Sequence, residues 1–317
     1  MIIGNRDFEI GKHTYIMGIL NITPDSFSDG GIYQDKDSIL KRVEEMIREG
    51  CDIIDVGGES TRPGYDKISD ETEIERITPV IEMVKNNFNI PVSLDTYKIS
   101  VANSGLTAGA DMINDIWGLR YDRGMAELIA NAKVPCCLMH NRKKIKKLNH
   151  DLTKGATKDI AKDLSDDKVE RKTFSTIDFE SAESGHGYKN KNLGDNFIAD
   201  IKNDLGESLE LARQAGISRD KIILDPGIGF GKTYEENLYT LNHLAELKAL
   251  GYPCLLGASR KSVIGLTLNL PVAERLEGTI ITTVMAVMSG YSFVRVHDIE
   301  ANKRSIQMVE AILNAKL

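Results

Sequence analysis

Asp95, Asn114 and Asp225 each end a short apolar run, and Arg295 and His297 close another near the far end of the chain. A carboxylate accepts from two neighbouring donors, and an amide offers a donor and an acceptor together, so the first three could read the edge of a flat polar ligand. Their plainer use is local, with Asp95 capping the next helix and the other two accepting from loop amides. Arg295 and His297 stand two apart and face one side of a strand, where a guanidinium fork and an imidazole make an anion clamp. Lys261 adds an ammonium, and Ser262 stands where a helix begins, a place for a carboxylate to meet a hydroxyl and backbone amides. Arg260, just before them, reads as an ion-pair partner. His13, His150, His186 and His243 have no polar company of this kind, and His140 ends an apolar run with no role assigned.

Two further stretches pair an apolar strand with a polar loop. Residues 17–31 run from Met-Gly-Ile-Leu into Asn21 and then through Pro24, Phe27 and Asp29 to two glycines; residues 52–64 run from Asp-Ile-Ile-Asp-Val into Gly-Gly-Glu-Ser-Thr-Arg-Pro-Gly. Either alone reads as a turn. Binding residues concentrate on such loops, and Asn21 offers an oxygen of the kind magnesium prefers. The run Asp-Pro-Gly-Ile-Gly-Phe-Gly-Lys-Thr over 225–233 lacks the spacing of a phosphate-binding loop, since Pro226 stands five residues before Gly231 where that loop needs glycine. Its glycines instead allow sharp turns beside a flat ligand, and Thr233 with Glu236 forms a capping box for a helix from 234.

Short apolar segments near 15–20, 52–56, 91–95, 111–115, 134–139, 221–225, 253–257 and 292–297 alternate with helical patterns. In 37–49, Ile39, Leu40, Val43, Met46 and Ile47 recur with helical period. Strands apolar on both faces are covered on both sides, and eight of them fit an α/β (β/α)8 TIM barrel. Residues 2–14 read as an N-terminal β-hairpin closing the barrel's N-terminal end. The polar strand ends then converge on the C-terminal face, where such barrels carry their sites. The expected organisation is one domain over 1–317, with a charged, weakly ordered insertion over 141–197 after the fifth strand.

The chain has 317 residues, 41% of them hydrophobic, and a net charge of −7, which argues against nucleic acid or an anionic membrane as partner. No apolar run approaches a membrane span and no secretory layout opens the chain, so a cytoplasmic protein is expected. Cys51, Cys136, Cys137 and Cys254 lie in or beside apolar runs without metal-ligand spacing and read as buried thiols.

Taken with Val-Ser-Leu-Asp-Thr at 92–96, Ile-Asn-Asp-Ile at 113–116, Gly-Ala-Ser-Arg-Lys-Ser at 257–262 and Val-Arg-Val-His-Asp at 294–298, the two loop segments and the 224–232 run resemble dihydropteroate synthases across almost the whole chain. The resemblance implies that 7,8-dihydropterin-6-ylmethyl pyrophosphate condenses with para-aminobenzoate to give 7,8-dihydropteroate and pyrophosphate. It implies pterin recognition by Asp95, Asn114, Asp225 and Lys261, with Gly257 and Met139 lining the pocket. Pyrophosphate falls to Asn21, Arg62, Arg295 and His297, with Mg2+ on Asn21, and para-aminobenzoate to Phe27, Thr61, Pro63, Phe230 and Ser262. Asp95, Lys261, Asp29 and Arg62 are the implied catalytic residues, and a homodimer through the last helices is the implied assembly. A methyltetrahydrofolate:corrinoid methyltransferase barrel shares the strand-end Asp and Asn but has no use for the clamp. A non-catalytic pterin-binding paralogue would not need the catalytic-loop residues.

Overall fold

The computed structural model describes residues 1–22, 36–60, 67–142 and 196–315. Two short strands, β1 (Ile2–Ile3) and β2 (Arg6–Asp7), form an antiparallel hairpin, turned at Gly4 with φ of 60°. Eight strands follow, each leading toward a helix: β3 (Tyr15–Asn21), β4 (Ile53–Gly57), β5 (Val92–Asp95), β6 (Met112–Asp115), β7 (Cys136–Met139), β8 (Ile222–Asp225), β9 (Leu255–Leu256) and β10 (Phe293–Val296). Helices α1 (Lys36–Arg48), α2 (Asp70–Asn87), α3 (Ile99–Thr107), α4 (Gly124–Ala132), α5 (Asn196–Ala215), α6 (Tyr234–Asn242), α7 (Leu244–Lys248), α8 (Ser262–Leu268), α9 (Leu276–Met288) and α10 (Ile299–Leu313) alternate with them.

The strands pair in parallel in the order β8-β7-β6-β5-β4-β3-β10-β9. A parallel bridge between Leu224 and Cys254 joins the two ends, which closes the TIM barrel expected from the sequence. The insertion expected over 141–197 lies outside the described residues except at its two ends. Among the described residues no helix is long and apolar enough to cross a membrane.

Side-chain parity explains how the barrel places its polar groups. Met17, Ile53, Met112, Cys137, Ile223, Leu255 and Phe293 point inward and are fully buried. Ile3 and Phe8 from the hairpin segment join this cluster, with the Phe8 ring 4.8 Å from that of Tyr15 and 5.8 Å from that of Phe293. The hairpin therefore plugs the N-terminal end. Two residues further along, the same inward rows turn polar: Asp55, Asn114, Asp225 and Arg295 follow Ile53, Met112, Ile223 and Phe293. Outward residues meet the helices closely. A Cβ on Gly18 would lie 2.5 Å from the Met46 methyl of α1 and 2.7 Å from the Cys51 sulfur. All four cysteines are free and buried.

Candidate active site

Register sets the strand ends level with one another, because Asp95 stands opposite Gly57 on one side and Asn114 on the other, and Met139 stands opposite Asp225. At the centre of the mouth is Arg295. Its Nε donates to Asp55 Oδ2 at 2.5 Å and its Nη2 to Asp95 Oδ2 at 2.7 Å. Asn114 Nδ2 donates to the same Asp55 oxygen at 3.3 Å. Asp55 is completely buried; its Oδ1 and that of Asp95 are buried acceptors with no partner among the described residues. Asp95 thus meets a cation with one oxygen and keeps the other available. It does not cap the following helix, whose N-cap is Lys98.

Glycine at 257 brings the second half of the site together. A Cβ there would lie 3.5 Å from Asp225 Oδ2 and 3.9 Å from both Lys261 Nζ and Arg295 Cβ. Lys261 Nζ donates to Ile228 O at 2.6 Å and sits 4.6 Å from the centre of the Phe230 ring. Asp225 Oδ1 accepts from Gly227 N at 2.7 Å, so the loop-amide role coexists with a second oxygen facing the space at Gly257, which Lys261 Nζ also borders. Met139 and Phe230 join Tyr97, Ile116 and Trp117 in an apolar wall beside these charges. Gly227, Gly229 and Gly231 adopt φ of 68°, 83° and 63°, the backbone that the glycine-rich run was expected to need. The Thr233–Glu236 capping box forms as read, with each side chain bonded to the other's backbone amide.

Glycine at 57 has a comparable use. A Cβ on it would lie 3.6 Å from Asn21 Oδ1 and 3.9 Å from Asp95 Oδ2, so its absence leaves a space in front of the Asn21 oxygen. His297 Nδ1 lies 2.9 Å from Ser259 Oγ, which also accepts from the His297 amide. The Ser259 hydroxyl thus bonds both the ring and the backbone of His297 and fixes the orientation of the imidazole. Ser262 is the first residue of α8, with Lys261 as its N-cap. Arg260 makes a two-pronged ion pair with Asp298, as expected of it. Phe27, Asp29, Thr61, Arg62 and Pro63 lie outside the described residues.

Burial and close opposite charges shift the ionisable groups. Burial raises Asp95 to about 7, with the Arg295 guanidinium pulling the other way and Asp55 reinforcing the rise. Asp225 is raised by burial against the pull of Lys261. Lys261 is lowered to about 8 by burial, opposed by Asp225 and Asp95. Burial also disfavours the Arg295 charge, but Asp55 and Asp95 more than offset it and hold the guanidinium above its usual value.

Four polar residues, Asp55, Lys232, His140 and Lys98, escaped the sequence reading as site components. Asp55 sits inside an apolar strand, and a carboxylate in Ile-Ile-Asp-Val was the available signal. Lys232 and His140 meet behind Asp225, with Nζ 2.8 Å from Nδ1. Lys98 Nζ donates to Glu59 at 2.7 Å and Ile68 O at 2.8 Å and forms an ion pair with Glu73 at 2.8 Å, joining the segment after β4 to α2.

A closed parallel barrel whose mouth opposes carboxylates and an amide to a lysine and an arginine, beside an apolar wall, defines a barrel enzyme for a flat, hydrogen-bonding ligand. The family model described as pterin binding enzyme matches residues 17–297. A dihydropteroate synthase of Clostridium beijerinckii is 50% identical over 99% of this chain and 99% of its own. One from Bacillus subtilis is 42% identical over 96% of this chain and 90% of its own. Among solved structures, a Clostridium difficile dihydropteroate synthase in the presence of pteroic acid superposes with a TM-score of 0.78 at 41% identity, covering 98% of this chain and 100% of that one. A Yersinia pestis dihydropteroate synthase with a sulfonamide drug gives 0.79 at 34% identity, covering 100% and 99%. The chain belongs to the dihydropteroate synthase family.

Proposed function

We propose that this chain condenses 7,8-dihydropterin-6-ylmethyl pyrophosphate with para-aminobenzoate, releasing pyrophosphate and forming 7,8-dihydropteroate. The observation that carries this reading is the buried cluster of Asp55, Asp95, Asp225, Arg295 and Lys261 at the barrel mouth, supported by family membership. Asp95, Asn114 and Asp225 take the donor-rich edge of the pterin, with Lys261 on a ring acceptor and Gly257 and Met139 against its faces.

The arylamine is neutral at pH 7, so attack needs no strong base. Expelling pyrophosphate is the harder step. Arg295 and His297 stand at the end of β10 to receive the leaving anion, with Arg62 completing the clamp, while Asp95 favours positive charge on the pterin methylene. Asn21 offers its amide oxygen, across the space left by Gly57, to a magnesium ion whose charge would offset that of the pyrophosphate. Among the described residues no group of three or more His, Cys, Asp or Glu is placed to hold a metal. A single amide oxygen suits an ion that keeps its waters and takes other ligands from phosphate. Phe27, Thr61, Pro63, Phe230 and Ser262 form the para-aminobenzoate side, and Asp29 accepts from its amine.

The barrel is one domain with 141–197 as an insertion, in a cytoplasmic enzyme. Exposed Ile281 and Met288 on α9, with Met308, Ile312 and Leu313 on α10, support a homodimer through these helices. The deciding assay is pyrophosphate release with both substrates, with and without magnesium. Release that depends on para-aminobenzoate is expected; its absence overturns the proposal.

A further inference from the structure

His140 follows β7, Lys232 ends the glycine-rich turn after β8, and neither has a part in the chemistry above. Lys232 Nζ donates to Gly227 O at 2.9 Å and to His140 Nδ1 at 2.8 Å. The imidazole is fully enclosed, and its Nε2 lies 3.0 Å from Asp204 Oδ2 on α5. Burial lowers Lys232 to about 7; in its ammonium form it only donates, so there Nδ1 accepts and Nε2 carries the proton and donates to Asp204. Burial, reinforced by Lys232, pushes His140 down to about 2, which agrees with a neutral ring. The backbones are joined as well. His140 N donates to Asp225 O at 2.9 Å, and a Cβ on Gly227 would fall 1.9 Å from His140 O.

We propose that Lys232, His140 and Asp204 form a chain of positioning residues that sets the aim of Asp225 and Phe230 for pterin recognition. The inference rests on the pterin reading above. Asp225 is separated from Gly227 by Pro226 alone, and both flanking carbonyls are held: Asp225 O by the His140 amide and Gly227 O by Lys232. The Asp225 carboxylate completes the constraint by accepting from Gly227 N. Three glycines at positive φ between 227 and 231 give this turn many alternatives in which Asp225 and Phe230 point elsewhere. Lysine suits the post because one nitrogen reaches two acceptors at once, the Gly227 carbonyl and the imidazole. Asp204 in turn fixes the ring from α5, so β7, β8 and α5 are tied at one buried point.

The test compares Lys232→Met, Lys232→Arg and Asp204→Leu with wild type, reading KM for each substrate, kcat, melting temperature and hydrogen exchange at the 227–231 amides without substrate. Lys232→Met is expected to raise the KM for the pterin substrate about tenfold or more, the loss of a charged hydrogen bond, and to leave that for para-aminobenzoate within about twofold. Lys232→Arg keeps the donors and is expected to recover most of the loss. Asp204→Leu, at the half-exposed end of the chain, is expected to raise the pterin KM alone by about threefold, and it decides the matter where Lys232→Met does not fold. Equal changes in both KM values, or a lower melting temperature with both unchanged, overturn the inference and leave a structural staple. Wild-type protein that releases no pyrophosphate removes the reaction proposed above instead. Exchange at 227–231, faster in Lys232→Met or unaltered, then still decides whether Lys232 holds the turn.

Discussion

Asp95→Asn should make the empty protein more stable at pH 8 while removing most of its turnover. Asparagine has nearly the same shape and keeps an oxygen for the Arg295 hydrogen bond, so what is lost is one buried charge. Asp95 rises from 3.8 to about 7 in the folded protein, mainly through burial. A native pKa above the unfolded one means the native state binds the proton more tightly. Stability is therefore full below about pH 4 and falls as pH climbs toward about 7. The ionised carboxylate then costs the fold an amount with an upper bound on the order of 4 kcal/mol. Even about 1 kcal/mol recovered by Asn should raise the melting temperature by roughly 1–2 °C in a chain of this size.

Catalysis should move the other way. A unit charge about 5 Å from a developing cation, at an effective dielectric near 20, is worth roughly 3 kcal/mol, or about two powers of ten in kcat. Melting curves from pH 4 to 8 for both proteins, beside coupled pyrophosphate release, check the two halves. A variant less stable at pH 8 with the pH slope of the wild type would refute the charge argument. Turnover within about threefold of wild type would remove Asp95 from the chemistry.

Arg295→Ala leaves Asp55 and Asp95 without their shared cation and should cost about 3–5 kcal/mol at neutral pH by denaturant titration. It should also weaken pyrophosphate and pterin-pyrophosphate binding in calorimetry; unchanged affinity for both would sink the clamp. Gly227→Ala forces a Cβ to within 1.9 Å of His140 O at a φ of 68°, and should lower stability by at least about 2 kcal/mol and raise the KM for the pterin substrate. Deleting 143–193 should leave melting and turnover near wild type if the insertion is peripheral to the barrel; loss of folding would show it to be integral.

What was legible in the sequence is what short range determines. Apolar runs such as Ile222-Ile223-Leu224 announce strands covered on both faces, and the polar residue after each marks the C-terminal mouth. The Thr233–Glu236 box was readable because both partners lie within one turn. Arg295 and His297 were placed on one side by parity, but not the partners that occupy the guanidinium. Asp55 lies 240 residues from Arg295, and its reason for standing inside an apolar strand appears only when the barrel closes. Lys232 and His140, 92 residues apart, were hidden in the same way. A lysine after three glycines suggests phosphate until its nitrogen is found on an imidazole.

The buried cluster also explains why a raised carboxylate belongs here. With Asp55, Asp95 and Asp225 ionised against Arg295 and Lys261, one negative charge is left unmatched inside the barrel. In the empty protein a proton on Asp95 relieves it, and burial supplies the drive. A ligand that develops positive charge at the mouth can take the place of that proton. The site is thus set before substrate arrives, and its carboxylates are held by the sheet and by Arg295. They need not reorganise when charge develops, which is where fixed groups exceed water in stabilising a cation. On the reaction proposed above, the stability forgone by burying Asp95 is the same interaction that would favour loss of pyrophosphate, and removing it should strengthen the fold as it weakens the chemistry.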